Sequence, residues 1–258
     1  MSAIDKEEFA GRVALVTAGA GRGIGQAVCR RLAAGGATVV VTDRHPGRTK
    51  EVAAAIAEDH PQAQILGLPL DVGERAAIDR VVDTAVERFG SIDILVNNAA
   101  VNVVAPIFDY DPDTWDWVVR VNLTGPWYLC RRIMPLMRDH GGGNVVNIGS
   151  YAPDVGGQGI EAPYAATKGA LNVLTRSCAH EGGPHGIRVN CVSMGMVQGT
   201  KFVDDNPQLR QQPGVLGVLG DLPHAGDIAE AVAYLASDRA RFVTGEILNV
   251  AAGSYMRN

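Results

Sequence analysis

Short apolar runs recur along the chain at a spacing of roughly 20 to 30 residues, and between them apolar positions fall at helical spacing. The runs at 13–17, 38–42, 64–69, 92–96, 144–148, 188–192 and 247–250 are mostly rich in Val, Ile and Leu rather than alternating. That is the pattern of parallel strands covered on both faces. Helical segments are predicted at 24–34, 48–58, 74–89, 112–138, 164–180 and 225–236. Right-handed crossovers through such helices build an α/β fold, a doubly wound parallel seven-stranded sheet with helices on both faces. No internal repeat or low-complexity linker interrupts the pattern, so a single domain over 1–258 is expected. The one long break, 196–223, holds several Gly and Pro residues. A loop of that length reads as a mobile lid or substrate-binding segment.

Composition narrows the function classes. A chain of 258 residues with 47% hydrophobic and 20% charged content has room for a large core and the surface of a soluble globular protein. A formal charge of −5 leaves no electrostatic footprint for nucleic acid or an anionic membrane. Residues 1–8 are polar and acidic, unlike a signal peptide, and no apolar run approaches the ~18 residues of a membrane span. Cys29, Cys130, Cys178 and Cys191 show no CxxC spacing. They read as free thiols of a cytoplasmic protein. The histidines form no HExxH or comparable pattern, His180 and His185 read as surface residues, and no metal is expected.

The first strand runs into Thr17-Ala18-Gly19-Ala20-Gly21-Arg22-Gly23-Ile24-Gly25, where a helix begins. Glycines at such a junction let backbone approach a pyrophosphate, and the helix N-terminus offers free N–H groups. Asp43 closes the second strand 18 residues beyond Gly25. There it can accept from both adenosine ribose hydroxyls and repel a 2′-phosphate. The alternative is a strand-end turn residue. Arg22 and Arg44 could each meet a 2′-phosphate, but the carboxylate stands where the ribose lies, so NAD is favoured over NADP. Farther on, Tyr164 and Lys168 are four apart on a predicted helix and share a face. A nearby ammonium is expected to lower the phenol's pKa from its ordinary ~10 toward the range of a working acid/base. A solvated helix face carrying both side chains is the bland alternative.

Taken together these motifs resemble the short-chain dehydrogenase/reductase family, and the resemblance covers nearly the whole chain. Gly19, Gly23 and Gly25 match its GxxxGxG loop, and Asp71-Val72 its adenine-holding pair. Asn97-Asn98-Ala99-Ala100 resembles its NNAG segment. Asn122 in Val121-Asn122-Leu123-Thr124-Gly125 matches the helix asparagine of its tetrad, Ser150 the serine, and Tyr164 with Lys168 the YxxxK pair. Ile187-Arg188-Val189-Asn190 precedes the stretch that lines the nicotinamide. Departures are Ala18, Ala100, Met194 for the proline of PG, Gly199 with Thr200 one place along, and Ala251-Ala252-Gly253 where DGG is frequent. Ser150 and Tyr164 are 14 apart, one more than the family spacing, which suggests a one-residue insertion in the loop 154–163.

The resemblance implies a Rossmann-type oxidoreductase in which hydride passes between a nicotinamide and a secondary alcohol or ketone while Tyr164 exchanges a proton with the substrate oxygen. Ser150 would orient that oxygen, and Lys168 would tune Tyr164 and hold the nicotinamide ribose. Cofactor contacts are implied for Gly19, Arg22, Gly23, Ile24, Gly25, Asp43, Asp71, Val72, Asn98, Tyr164, Lys168 and Val197. Pro126 has no N–H, so the Asn122 carbonyl four residues earlier is free for a water-borne proton path, or else Pro126 only kinks a long helix. Asn97 either ties neighbouring strands or touches cofactor. A homotetramer built through the helices carrying Asn122 and Tyr164 and through the C-terminal region is also implied. An NADP-dependent 3-oxoacyl thioester reductase and a non-catalytic dinucleotide-binding sensor or scaffold are the competing readings. The segments 152–162 and 196–223 hold Val155, Ile160, Phe202, Val203, Leu216, Val218 and Leu219, which would line a hydrophobic substrate pocket, pack the lid down or bury an oligomer contact. Lys201 and Arg210 are the lid's cations, and both read as solvated.

Overall fold

A computed structural model describes residues 5–200, 203–204 and 215–256. Its strands are β1 (Val13–Val16), β2 (Thr38–Asp43), β3 (Ile65–Pro69), β4 (Ile94–Asn97), β5 (Gly143–Ile148), β6 (Ile187–Met194) and β7 (Ile247–Val250). They form one seven-stranded sheet in the order β3-β2-β1-β4-β5-β6-β7, every pair parallel. The helices are α1 (Ile24–Ala34), α2 (Pro46–Asp59), α3 (Arg75–Phe89), α4 (Pro112–Val119), α5 (Gly125–Asp139), α6 (Ala162–Gly182) and α7 (Ala225–Ala236).

Successive strand residues point to opposite faces. Ala14, Val16, Val39, Val41 and Val96 therefore pack with Val28 and Leu32 of α1, Ile56 of α2 and Ile228 and Val232 of α7. Leu15, Val40, Leu95 and Val145 pack on the other face with Ile78 and Val82 of α3 and Leu129 and Ile133 of α5. Each such side chain removed from water contributes about 1.5–3 kcal/mol, which is why both faces of the strands read as continuously apolar. Chain order reverses between β1 and β4, leaving a crevice at their carboxyl ends where a doubly wound sheet binds its ligand.

Two elements differ from the sequence expectation. The helix expected over 112–138 is three pieces, with a π-helical turn at Arg120–Thr124 between α4 and α5. Gly125 N donates to Arg120 O, five residues back. Pro126 follows with no N–H to continue the ordinary register, so one residue is looped out before it. Gly125 is also packed against the loop after β3, where a Cβ would meet the Val72 carbonyl at 2.6 Å. The second difference is β6, which runs on to Met194 opposite Val250. Met keeps the strand conformation and N–H that a proline would forfeit.

In the 196–223 segment, Val203 is buried with Val215, Leu222 and Met196, so it packs the segment down, whereas Val218 and Leu219 are exposed. Lys201, Phe202 and Arg210 lie outside the described residues.

Candidate active site

The glycine loop is held by β4. Thr17 Oγ1 accepts from Asn98 N at 2.8 Å and Ala99 N at 2.9 Å. Asn98 Nδ2 donates to Thr17 O at 2.9 Å and Ala18 O at 3.3 Å. Asn98, expected to touch cofactor, thus spends its amide hydrogens on shaping the loop. Gly23 stands at φ 125, a conformation that favours glycine, and directly precedes Ile24, the first residue of α1. No side chain caps α1 and no acidic residue lies in its first turn, so the helix's own residues leave its positive end free. A Cβ on Gly19 would press on Cys29 Sγ at 2.7 Å, and one on Gly25 would run into Ala18 O and Asn98 Nδ2.

Asp43 lies at the end of β2, 3% exposed. One carboxylate oxygen accepts from Arg48 Nη2 at 2.7 Å and His45 N at 3.1 Å, and the other faces Gly21 of the loop. Of the two arginines singled out in the sequence, Arg22 pairs with Asp204 at 2.9 Å and Arg44 turns to His45. Val72 is buried, and Asp71 is exposed with Oδ1 accepting from Gly73 N at 2.8 Å. Val197 is buried after β6, its carbonyl accepting from Thr200 Oγ1 at 2.7 Å. The expected cofactor residues therefore gather along the carboxyl ends of the strands.

Tyr164 and Lys168 lie on α6 and approach one another, with Nζ 5.6 Å from the ring centroid. Lys168 is 2% exposed and donates to Ile148 O at 2.7 Å, which draws its long stem under the end of β5. Ser150, just past β5, stands beside the Tyr164 phenol and favours its ionised form, and its hydroxyl accepts from Ala152 N at 3.0 Å. Asn122 is fully buried in the π turn. Its amide exchanges bonds with Val101 (2.8 and 2.9 Å) and donates to Thr167 Oγ1 at 3.3 Å, docking that turn beside Lys168. Asn97 is a strand tie: its Nδ2 reaches Asn147 Oδ1 at 2.8 Å, and Asn147 Nδ2 reaches Thr175 Oγ1 on α6 at 2.9 Å. In the loop between Ser150 and Tyr164, Gly156, Gly157, Gln158 and Gly159 all take positive φ.

The electrostatics correct one expectation. Burial, with Glu161 adding to it against the influence of Ser150, pushes the Tyr164 phenol up to about 12. Burial lowers Lys168 to about 8. In the protein alone desolvation of both groups outweighs the attraction that was to bring Tyr164 down. Lys168 titrates below its ordinary 10.5, so it costs the fold nothing above that value and most as pH falls through about 8. Lys168→Met is therefore expected to remove activity yet raise stability near pH 7 by about 1–2 kcal/mol. That is a relief on the order of 3 kcal/mol less the penalty of an unpaired Ile148 carbonyl. Urea denaturation at pH about 7 and about 10 checks it, since the gain must shrink at the higher pH.

Sequence reasoning passed over Thr17, Asn102, Glu161 and the stacked pair Tyr151–Tyr255 (centroids 5.8 Å apart). Only Thr17 carried a signal, a hydroxyl at a strand end directly before the glycines.

A family model described as enoyl-(acyl carrier protein) reductase matches residues 19–254. The chain is similar to the 3-oxoacyl-(acyl-carrier-protein) reductase FabG of Escherichia coli (strain K12), 37% identical over 252 residues, 96% of this chain and 99% of that one. It is similar to a 3alpha-hydroxysteroid dehydrogenase of Mediterraneibacter gnavus, 34% identical over 240 residues, 93% of this chain and 95% of that one. Among solved structures, a short chain dehydrogenase from Mycobacterium smegmatis matches with a TM-score of 0.85 and 30% identity, over 100% of this chain and 98% of its own.

Proposed function

The chain belongs to the short-chain dehydrogenase/reductase family of oxidoreductases, and we propose that it transfers hydride between NAD(H) and a secondary alcohol or ketone, with Tyr164 as general acid/base. The observation that carries this reading is the Tyr164 phenol beside Ser150, with the buried Lys168 ammonium 5.6 Å from its ring centroid, at the carboxyl edge of the sheet. A nicotinamide dinucleotide fits the residues present. Gly19, Gly23 and Gly25 with the start of α1 at Ile24 would cradle the pyrophosphate, Asp43 the adenosine ribose, and Asp71 and Val72 the adenine. Tyr164 and Lys168 would hold the nicotinamide ribose, and Val197 would lie along the nicotinamide. When bound, that group supplies or accepts the hydride. The chain's own part is to orient the substrate oxygen with Ser150 and move one proton at the Tyr164 oxygen.

A high phenol pKa suits the reducing direction, where Tyr164 must arrive protonated. In the oxidising direction the phenolate is needed, so the rate rises with pH through the neutral range. In this reading the 196–223 segment is the substrate lid of one catalytic domain. No helix among the described residues is long and apolar enough to cross a membrane.

The test is reduction of NAD⁺ and of NADP⁺ by a broad set of secondary alcohols, followed by absorbance. NAD⁺ is expected to be preferred by at least about tenfold in kcat/KM, with Asp43→Ala narrowing the gap through loss of the ribose contact and of repulsion toward a 2′-phosphate. A second reading, an NADP(H)-dependent 3-oxoacyl thioester reductase, is favoured by the 37% identity to an enzyme of that name along almost the whole chain. Preferential oxidation of NADPH by a 3-oxoacyl thioester would replace the first reading with the second. Tight NADH binding without turnover of any carbonyl would favour a sensor.

A further inference from the structure

Glu161 lies one helical turn before Tyr164, at the residue that opens α6. Glutamate is not among the residues whose shorter side chains favour an N-cap. Here it makes no side-chain cap bond. Its Oε1 accepts instead from Asn102 Nδ2 at 3.0 Å, on the segment that follows β4. That segment is fastened to the same loop by Ala105 N donating to Ile160 O at 3.0 Å, so the position of the carboxylate is built from two directions. Among the described residues no cation pairs with Glu161, and Asn102 gives its only side-chain hydrogen bond. Asn102 Oδ1 is itself buried and has no protein donor. Glu161 stands three residues before Tyr164 at the start of α6, and its charge opposes ionisation of both Tyr164 and Tyr151. A negative charge beside a phenol that must at times become a phenolate works against the chemistry, so its use is to be sought in the substrate.

We infer that Glu161, positioned by Asn102, forms a subsite for a hydrogen-bond donor on the substrate, an ammonium or a hydroxyl within a few bonds of the reacting carbon. The Glu161 carboxylate takes one side-chain hydrogen bond, from Asn102, and keeps further acceptor capacity three residues before the reacting phenol, where a donor-bearing group on the substrate satisfies it. The same charge disfavours anionic substrates. This inference rests on Tyr164 being the reacting group.

The experiment uses four ketones of one carbon skeleton, ending in ammonium, hydroxyl, methyl or carboxylate, with the full-length enzyme and its Glu161→Gln and Glu161→Leu variants. The wild type is expected to favour a donor-bearing ketone over the methyl one by about tenfold in kcat/KM, mostly through KM, and to turn over the carboxylate worst. If the donor is an ammonium, Glu161→Gln removes the preference. If it is a hydroxyl, Glu161→Gln keeps it, because the amide oxygen still accepts, and Glu161→Leu removes it. The methyl ketone should change by no more than about twofold in either variant, which separates loss of a subsite from loss of the fold. The same ranking of all four ketones in all three enzymes overturns the subsite and leaves the reaction standing. No turnover of any ketone by any of the three overturns the role of Tyr164 and the subsite with it.

Discussion

Replacing Tyr164 with phenylalanine is expected to slow hydride transfer by about three to four orders of magnitude while leaving the Kd for NADH within about threefold. The ring is retained, so the packing that holds Lys168 Nζ 5.6 Å from the ring centroid is kept. What disappears is one oxygen, the proposed proton carrier, which lies beside Ser150. Ser150 cannot take over, because the ordinary pKa of an alcohol lies far above the working range. In the proposed reading most dinucleotide contacts come from the glycine loop, the start of α1 and Asp43, and the Tyr164 hydroxyl adds one contact to the nicotinamide ribose, hence the margin of about threefold. Single-turnover mixing of enzyme, NADH and ketone separates the chemical step from binding. A variant that keeps more than about a tenth of the wild-type rate would remove Tyr164 from the reaction.

The two outcomes at Tyr164, placement and acidity, differ in how far sequence can reach. Spacing put Tyr164 and Lys168 on one face of α6, because a helix fixes the angle between residues four apart. Their burial depends on what β5 and the π turn lay over them, and no local pattern records that. The sign of the Tyr164 shift was therefore misjudged: burial pushes it up, where a neighbouring cation alone would bring it down. The strands were legible because residues covered on both faces are mostly apolar, the buried exceptions such as Asn97 and Asn147 bonding to one another. Their ends were not, and β6 continues two residues further since nothing after Val192 forbids pairing with β7. Pro126 announced a disturbance in the long helix, but a kink and a π turn both accommodate a missing N–H. Packing of Gly125 against Val72 and docking of Asn122 on Thr167 are long-range contacts that accompany the π turn. Asn98 shows the same limit: the motif places it in the crevice, while its bonds to Thr17 and Ala18 make it a brace for the loop.

That brace makes Gly25→Ala the second change of large expected effect. A methyl group at Gly25 would enter the space of the Ala18 carbonyl and the Asn98 amide, and neither is a flexible side-chain end that can swing away. Ala18 is already at φ 51, a strained value for a residue with a Cβ, and the Asn98 amide is fixed by two carbonyls. Relief would come from moving the loop off β4, which also breaks the Asn98–Thr17 and Asn98–Ala18 bonds. Overpacking of this kind costs about 1–3 kcal/mol, and it falls on the turn that must present its N–H groups to a pyrophosphate. The expected result is a loss of at least about thirtyfold in NADH affinity with a lower thermal midpoint. Gly47→Ala is the matched control, since no atom lies within 4 Å of a Cβ there and the site is in the first turn of α2. It should leave NADH affinity unchanged and raise stability by a few tenths of a kcal/mol to about 1 kcal/mol. Titration of both variants by quenching of intrinsic fluorescence decides the matter. Gly25→Ala binding NADH as tightly as the control would mean that the pyrophosphate lies elsewhere than between this loop and α1.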